Sequence, residues 1–264
     1  MQTEVLSTTT LFFAGLALVF VLVTLTWLLG KRISNYSIID AIWSLSFSLQ
    51  ALLFYFLSEG ESLKKLIALV VLALWSLRLG LYLTKRIASH HPHVDSRYEQ
   101  LQKEYGSNFH FRFYLFYLMQ AASVSLLTAP FIFVFQNKDK VSSFEWAGLV
   151  LWAVALAGES LADYQMNEFK KNSANKGKTC NVGLWKYSRH PNYFFESLIW
   201  WSFYFLFLGA GAWWGIYAPL IILHLLLNVT GVPPSEAQAL KNRGDDYRRY
   251  LEKTSKFVPW FPKE

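Results

Sequence analysis

The stretch "TTTLFFAGLALVFVLVTLTWLL", residues 8–29, decides the fold, because no charged side chain interrupts it and Lys31 and Arg32 follow at once. A helix rises about 1.5 Å per residue, so about 20 apolar residues cross a hydrocarbon core about 30 Å thick. Spanning strands would alternate apolar and polar positions, which this run does not. Working outward, six more runs read the same way, at residues 38–57, 63–84, 111–135, 144–163, 193–210 and 213–229. The composition agrees: 53% of residues are hydrophobic and 16% charged, against about 25% charged in soluble domains. The chain is therefore expected to be all-α, a polytopic integral membrane protein of about seven transmembrane helices lying in the lipid bilayer.

A net charge of +7 raises the question of a nucleic-acid partner, and its distribution answers it. Basic residues gather in alternate loops: Lys31 and Arg32, then Lys85, Arg86, Arg97, Lys103 and Arg112, then Lys170, Lys171, Lys176, Lys178, Lys186 and Arg189, then seven more in the tail 241–263. Lys64, Lys65, Lys138 and Lys140 face the other way. This is the positive-inside pattern, which places the N-terminus outside and the C-terminus in the cytoplasm. Excess positive charge then reports topology, and no nucleic-acid partner is expected. Before the first run stands Glu4 and no basic segment, so that run reads as a retained helix rather than a cleaved signal peptide. The single cysteine, Cys180, forms neither an internal disulfide nor a multi-cysteine zinc site.

No repeat, low-complexity tract or long linker divides the chain, so residues 1–264 read as a single membrane domain and a monomer. Residues 232–264 form a cytoplasmic C-terminal cap within it. Pro233 and Pro234 suit a helix start; an amphipathic helix then breaks near Gly244, and a second short one follows around 247–251.

Charged groups in or beside spans are costly and are functional candidates by default. Here they are Asp40, Arg78, Glu159, Asp163 and Glu196, with His224 and Asn228 in the last run. Under the topology above, the acids lie toward the cytoplasmic ends of their helices, where a shared inward-facing pocket is expected. Glu159 with Asp163, and Asn192 with Glu196, are four apart and share a helix face. Arg78 is expected to pair with an acid, an arrangement that packing alone would also explain. His90, His91 and His93 lack the carboxylate or cysteine spacing of a metal site and read as a solvated loop.

The segment "ADYQMNEFKKNSANKGKTCNVGLWKYSRHPNYFFESLIWW" (162–201), together with "YSIIDAIWSLSF" (36–47), "DSRYEQLQKEYG" (95–106) and "RRYLEKTSKFVPWFP" (248–262), resembles the bacterial DUF1295 membrane proteins of the steroid 5-alpha-reductase-like superfamily. The resemblance implies seven helices in a bacterial inner membrane and a cytoplasm-facing NADPH site. Carried over by position, it assigns cofactor contacts to Asp163, Lys170, Lys178, Tyr187, Asn192 and Glu196. Glu236 stands where the steroid enzymes have a histidine. Arg189, His190 and Tyr193, inside the Arg-His-Pro-Asn-Tyr motif, join this cofactor-binding set. Lysines and arginines suit a pyrophosphate and a 2′-phosphate, and Pro191 opens a helix whose first N–H groups lack intrahelical partners. The family's Gln-Glu pair and Tyr, which grip the enone carbonyl, are replaced by Ser46, Phe47 and Trp75. Asp40, Arg78 and Tyr82 are the nearest polar residues and stand as catalytic candidates.

The expected activity is NADPH-dependent reduction of a conjugated carbon–carbon double bond in a hydrophobic lipid or steroid-like substrate. An S-adenosylmethionine-dependent methyltransferase is the alternative, since isoprenylcysteine carboxyl methyltransferases resemble the chain in "RHPNY" and in "DYRRY" with "VPWFP". A non-catalytic membrane scaffold is the third reading, and it leaves the buried acids and Asn192 unexplained.

Overall fold

The computed structural model describes residues 6–90 and 94–263. Glu4, His91 and His93 lie outside the described residues, as does the side chain of His90. Among the described residues there are ten α-helices and no strand, and the longest connection, residues 172–190, carries two short 3-10 turns. The helices are α1 (Thr8–Arg32), α2 (Ile38–Leu57), α3 (Ser62–His90), α4 (Ser96–Tyr105), α5 (Phe109–Gln136), α6 (Ser143–Lys171), α7 (Pro191–Gly209), α8 (Tyr217–Asn228), α9 (Val232–Arg243) and α10 (Asp245–Lys253).

Six stretches of the described helices are long and apolar enough to cross a membrane: Thr8–Arg32, Ile38–Leu57, Ser62–Ser89, Arg97–Gln136, Ser143–Lys171 and Trp213–Arg243. The protein is thus an all-helical integral membrane protein with close to the seven spans expected. The difference is α7, which forms where expected but is not among the six, because Asn192, Glu196 and several tyrosines and tryptophans dilute its hydropathy. The helix α4 was not foreseen. Asp95 caps its start by accepting from the Arg97 N–H at 3.0 Å.

The chain divides into two compact units. The first comprises Met1–Val141 with Gly209–Ala212. Its centre is α2, which packs against α1, α3 and α5. Phe47, Phe54, Trp75, Phe113, Phe131 and Phe135 are fully buried there. Small hydroxyls make the seam between α2 and α3: Ser44 Oγ donates to the Ser76 carbonyl at 2.9 Å, Ser76 Oγ returns the bond to the Ser44 carbonyl at 2.5 Å, and Ser48 Oγ meets Ser76 Oγ at 2.8 Å. Small side chains let the backbones approach, and in lipid their polar atoms need protein partners. Lys64, at the start of α3, is completely buried. Its Nζ donates to Asn137 Oδ1 at 2.7 Å and to the Gly209 carbonyl at 3.4 Å.

The second unit comprises Ser142–Leu208 and Trp213–Glu264. Its first helix, α6, opens with a capping box in which Ser142 and Glu145 exchange hydrogen bonds. A Cβ added at Gly148 would lie 2.9 Å from the Ser202 carbonyl oxygen, and one at Gly158 would lie 2.4 Å from the Phe195 ring. The two glycines therefore seat α7 antiparallel along α6. The tail folds as its sequence implies: Pro233 and Pro234 occupy the first turn of α9, and Gly244, with φ of 51°, separates α9 from α10.

Candidate functional site

The segment between α6 and α7 is built from backbone bonds that few residue types satisfy. Gly183 has φ of 56°, and a Cβ there would lie 2.5 Å from the Gln165 side chain, so the position needs glycine for both conformation and space. The Leu184 N–H donates to Gln165 Oε1 at 2.8 Å, and Trp185 Nε1 donates to the Ala162 carbonyl at 2.9 Å. These bonds bring residues 183–190 back along the last turns of α6. Tyr250, on α10, donates its hydroxyl to the Trp185 carbonyl at 2.5 Å and reaches the Ser188 carbonyl at 3.2 Å.

At the start of α7, Arg189, His190 and Glu236 are brought together. Arg189 Nε donates to Glu236 Oε1 at 2.8 Å, and its Nη1 donates to the carbonyls of Leu251 and Thr254 at 3.0 and 2.8 Å. His190 Nε2 lies 3.3 Å from the same Glu236 oxygen. The His190 ring stacks on Tyr193, with centroids 5.4 Å apart, and the Tyr193 hydroxyl meets Ser235 Oγ at 3.0 Å. Burial holds the His190 imidazole below its ordinary pKa, against the pull of Glu236, and so favours the neutral ring. The guanidinium of Arg189 thus ties the tail to the motif.

Asn192 sits in the first turn of α7, and its Oδ1 is buried with no hydrogen-bond partner. Glu196, one turn on, accepts from Trp200 Nε1 at 3.0 Å. Around them in sequence, Lys170, Lys176, Lys178 and Lys186 are exposed, Asp163 is half-buried on α6, and Tyr187 is half-buried with its ring 6.0 Å from Phe261. Glu159 is buried on α6, with an exposure of 6%. Cys180 is buried, which raises its thiol pKa and fits an inert group.

The three catalytic candidates belong to the first unit. Asp40, in the first turn of α2, accepts from Arg97 Nη2 at 2.9 Å and from the Tyr98 hydroxyl at 2.5 Å. It therefore anchors α4. Arg78 is half-buried on α3, and Tyr82 is exposed. Ser46 Oγ turns back to the Ile42 carbonyl at 2.6 Å, and Phe47 and Trp75 pack edge to face at 5.2 Å. The first unit is closed with apolar packing at those positions.

Sequence reading missed Ser188, Tyr250 and the pair of Thr179 with Asp246. Ser188 Oγ donates to the Phe257 carbonyl at 2.7 Å, and the Thr179 N–H donates to Asp246 Oδ2 at 2.7 Å. The Thr179 bond holds the Asp246 pKa below its ordinary value. A serine preceding the basic motif and a tyrosine on an amphipathic helix were the available signals, but neither names a partner 60 residues away.

No solved structure matches the chain. The uncharacterized protein C594.04c of Schizosaccharomyces pombe (strain 972 / ATCC 24843) is 27% identical over 94% of this chain and 79% of its own length. The probable O-methyltransferase ustE of Ustilaginoidea virens is 44% identical, but over 17% of this chain and 16% of its own. That overlap is too small to bear on activity. Residues 26–254 match the family described as "Protein of unknown function (DUF1295)", and with most of its length in that match the chain belongs to the DUF1295 family.

Proposed function

We propose that the protein is an NADPH-dependent reductase of a conjugated carbon–carbon double bond in a membrane-dissolved lipid or steroid-like substrate. The reading takes the N-terminus as outside and the C-terminus as cytoplasmic. The observation that carries it is the buried, unpartnered Oδ1 of Asn192. A buried acceptor without a donor costs about 1–3 kcal/mol, and a carboxamide or ribose hydroxyl of a nucleotide would satisfy it. The exposed Lys170, Lys176 and Lys178 supply point charges suited to phosphate oxygens. The residues present therefore fit the group.

When bound, NADPH would supply the reducing equivalent for the double bond. The chain's own groups do the rest. Asn192 and Glu196, on one face of α7, would hold the ring end, together with Asp163 and Tyr187. Arg189, His190 and Glu236 hold α10 and the tail against the start of α7, a supporting role that replaces direct phosphate contact for Arg189. The proton donor is sought among Asp40, Arg78 and Tyr82. Membership of the steroid 5-alpha-reductase-like superfamily is part of the same proposal.

Thermal unfolding of the full chain in detergent tests it. NADPH should raise the unfolding temperature more than NADH or S-adenosylmethionine, Asn192→Ala should remove the difference, and Lys178→Gln should narrow the gap between NADPH and NADH. Stabilisation by S-adenosylmethionine alone would replace the reductase with the methyltransferase reading. No response to any nucleotide would leave a scaffold.

A further inference from the structure

The tail "SKFVPWFPK", residues 255–263, is tethered along its backbone yet leaves its apolar side chains bare. Ser255 accepts from the Arg189 N–H at 2.8 Å, the Phe257 carbonyl accepts from Ser188 Oγ, the Trp260 N–H donates to the Tyr187 carbonyl at 2.9 Å, and the Lys263 N–H donates to the Lys253 carbonyl at 2.8 Å. Phe257 turns inward against Phe194, with ring centroids 5.8 Å apart. Val258, Trp260 and Phe261 point the other way, exposed by 54%, 70% and 76%. Pro259 and Pro262 fix the backbone φ on either side of the two aromatic residues. The tip is therefore held out on a stiff strap.

Its height and its charges identify what it meets. Trp185 and Leu184 bond α6 at Ala162 and Gln165, where the apolar face of that helix gives way to Asn167, Glu168 and Lys170. Tyr187 follows two residues beyond Trp185, and its carbonyl holds the Trp260 N–H, which sets Trp260 beside this polar end of the α6 span. Aromatic side chains favour the layer where a bilayer changes from acyl chains to headgroups. Lys256 and Lys263 are exposed beside the tip, with Lys253 bonded next to Lys263 through the backbone. Lys186 lies 5.9 Å from the Tyr187 ring, which in turn contacts Phe261. Glu252 is the acid nearby on α10. Four lysines around an aromatic tip would repel a second copy in a self-complementary contact, whereas anionic phosphate headgroups suit them.

We propose that Val258, Trp260 and Phe261 insert into the bilayer interface and that Lys186, Lys253, Lys256 and Lys263 bind the phosphates of anionic lipids around them. The strap thereby docks on the membrane from the same segment that closes over Arg189. This docking does not depend on which cofactor the protein takes.

Full-length protein carrying Val258→Cys, labelled with an environment-sensitive fluorophore, tests it in nanodiscs of phosphatidylcholine with and without phosphatidylglycerol. Buried Cys180 leaves the new thiol as the accessible one. The label should shift to the blue, be quenched by spin labels at headgroup depth, and respond more strongly when phosphatidylglycerol is present. Lys256→Gln with Lys263→Gln should lower the anionic preference about fivefold for each lysine removed, while Trp260→Ser should weaken lipid quenching in both bilayers. Quenching by aqueous iodide alike in both bilayers overturns the docking. Burial that ignores headgroup charge overturns the anionic assignment, and energy transfer between differently labelled copies would assign the tip to a protein contact instead.

Discussion

The seam between α2 and α3 and the start of α7 contain comparable numbers of polar side chains and treat them in opposite ways. In the seam, the hydroxyls of Ser44, Ser48 and Ser76 meet one another or a carbonyl across the helices. At the start of α7, Arg189, His190 and Glu236 close a similar circle, but Asn192 Oδ1 stands outside it, buried and without a partner. A buried acceptor left without a donor is costly wherever water cannot reach it. Polar residues in the seam therefore serve helix contact, whereas the unpartnered oxygen of Asn192 is the observation on which the proposed nucleotide site rests.

The contrast can be broken most strongly in the first unit. Trp75→Ala empties a fully buried site beside Phe47 and should lower stability by about 3–5 kcal/mol, measured as lost folded yield and a lower unfolding temperature in detergent. Glu236→Ala should come next. It leaves the Arg189 guanidinium, with a side-chain exposure of 10%, without its carboxylate, at a cost of about 3 kcal/mol; Glu236→Gln should recover part of this by keeping an acceptor. If the alanine variant is as stable as the parent, the tail is not held by this group.

A smaller effect follows from His190. Its folded pKa lies below the ordinary 6.5, so the unfolded chain takes up the proton first as pH falls. This group's contribution should therefore be at its most favourable above pH 6.5 and decline below it, down to the folded pKa. His190→Gln should flatten the corresponding part of a pH-dependent unfolding series. The smallest effects should come from removing orphaned atoms. Trp152 is 7% exposed, and its indole N–H has no hydrogen-bond partner, so Trp152→Phe should change stability by less than about 1 kcal/mol. Asn192→Ala removes an unpaired buried acceptor and so should not lower unliganded stability, while removing the nucleotide response. A large loss in either variant would mean that the atom already has a partner.

Much of the fold was legible because bilayer thickness imposes a length that any apolar run must meet. The α2 boundaries, 38–57, were read without error, and the Pro233–Pro234 start and Gly244 break of the tail follow from backbone rules that act locally. Helix α4 escaped because an amphipathic segment of ten residues has no such length rule, and its stability comes from Arg97 and Tyr98 meeting Asp40 more than 50 residues away. The site was legible in part for the same reason. The Arg-His-Pro-Asn-Tyr motif announces a helix start beside charged groups. That Arg189 grips the Leu251 and Thr254 carbonyls depends on where α10 folds, and no local pattern records it.

Buried Lys64 counts in the electrical character of the first unit. Its ammonium is held by Asn137 and Gly209, and around the same loops Lys64, Lys65, Lys138 and Lys140 stand against Glu59, Glu61 and Asp139, a formal +1. Around the opposite ends of the helices, seven basic residues (Lys31, Arg32, Lys85, Arg86, Arg97, Lys103 and Arg112) outnumber four acids (Asp40, Asp95, Glu99 and Glu104), leaving a formal +3. The formal charge of the unit is weighted toward one end, so a membrane potential would bear on it mainly there.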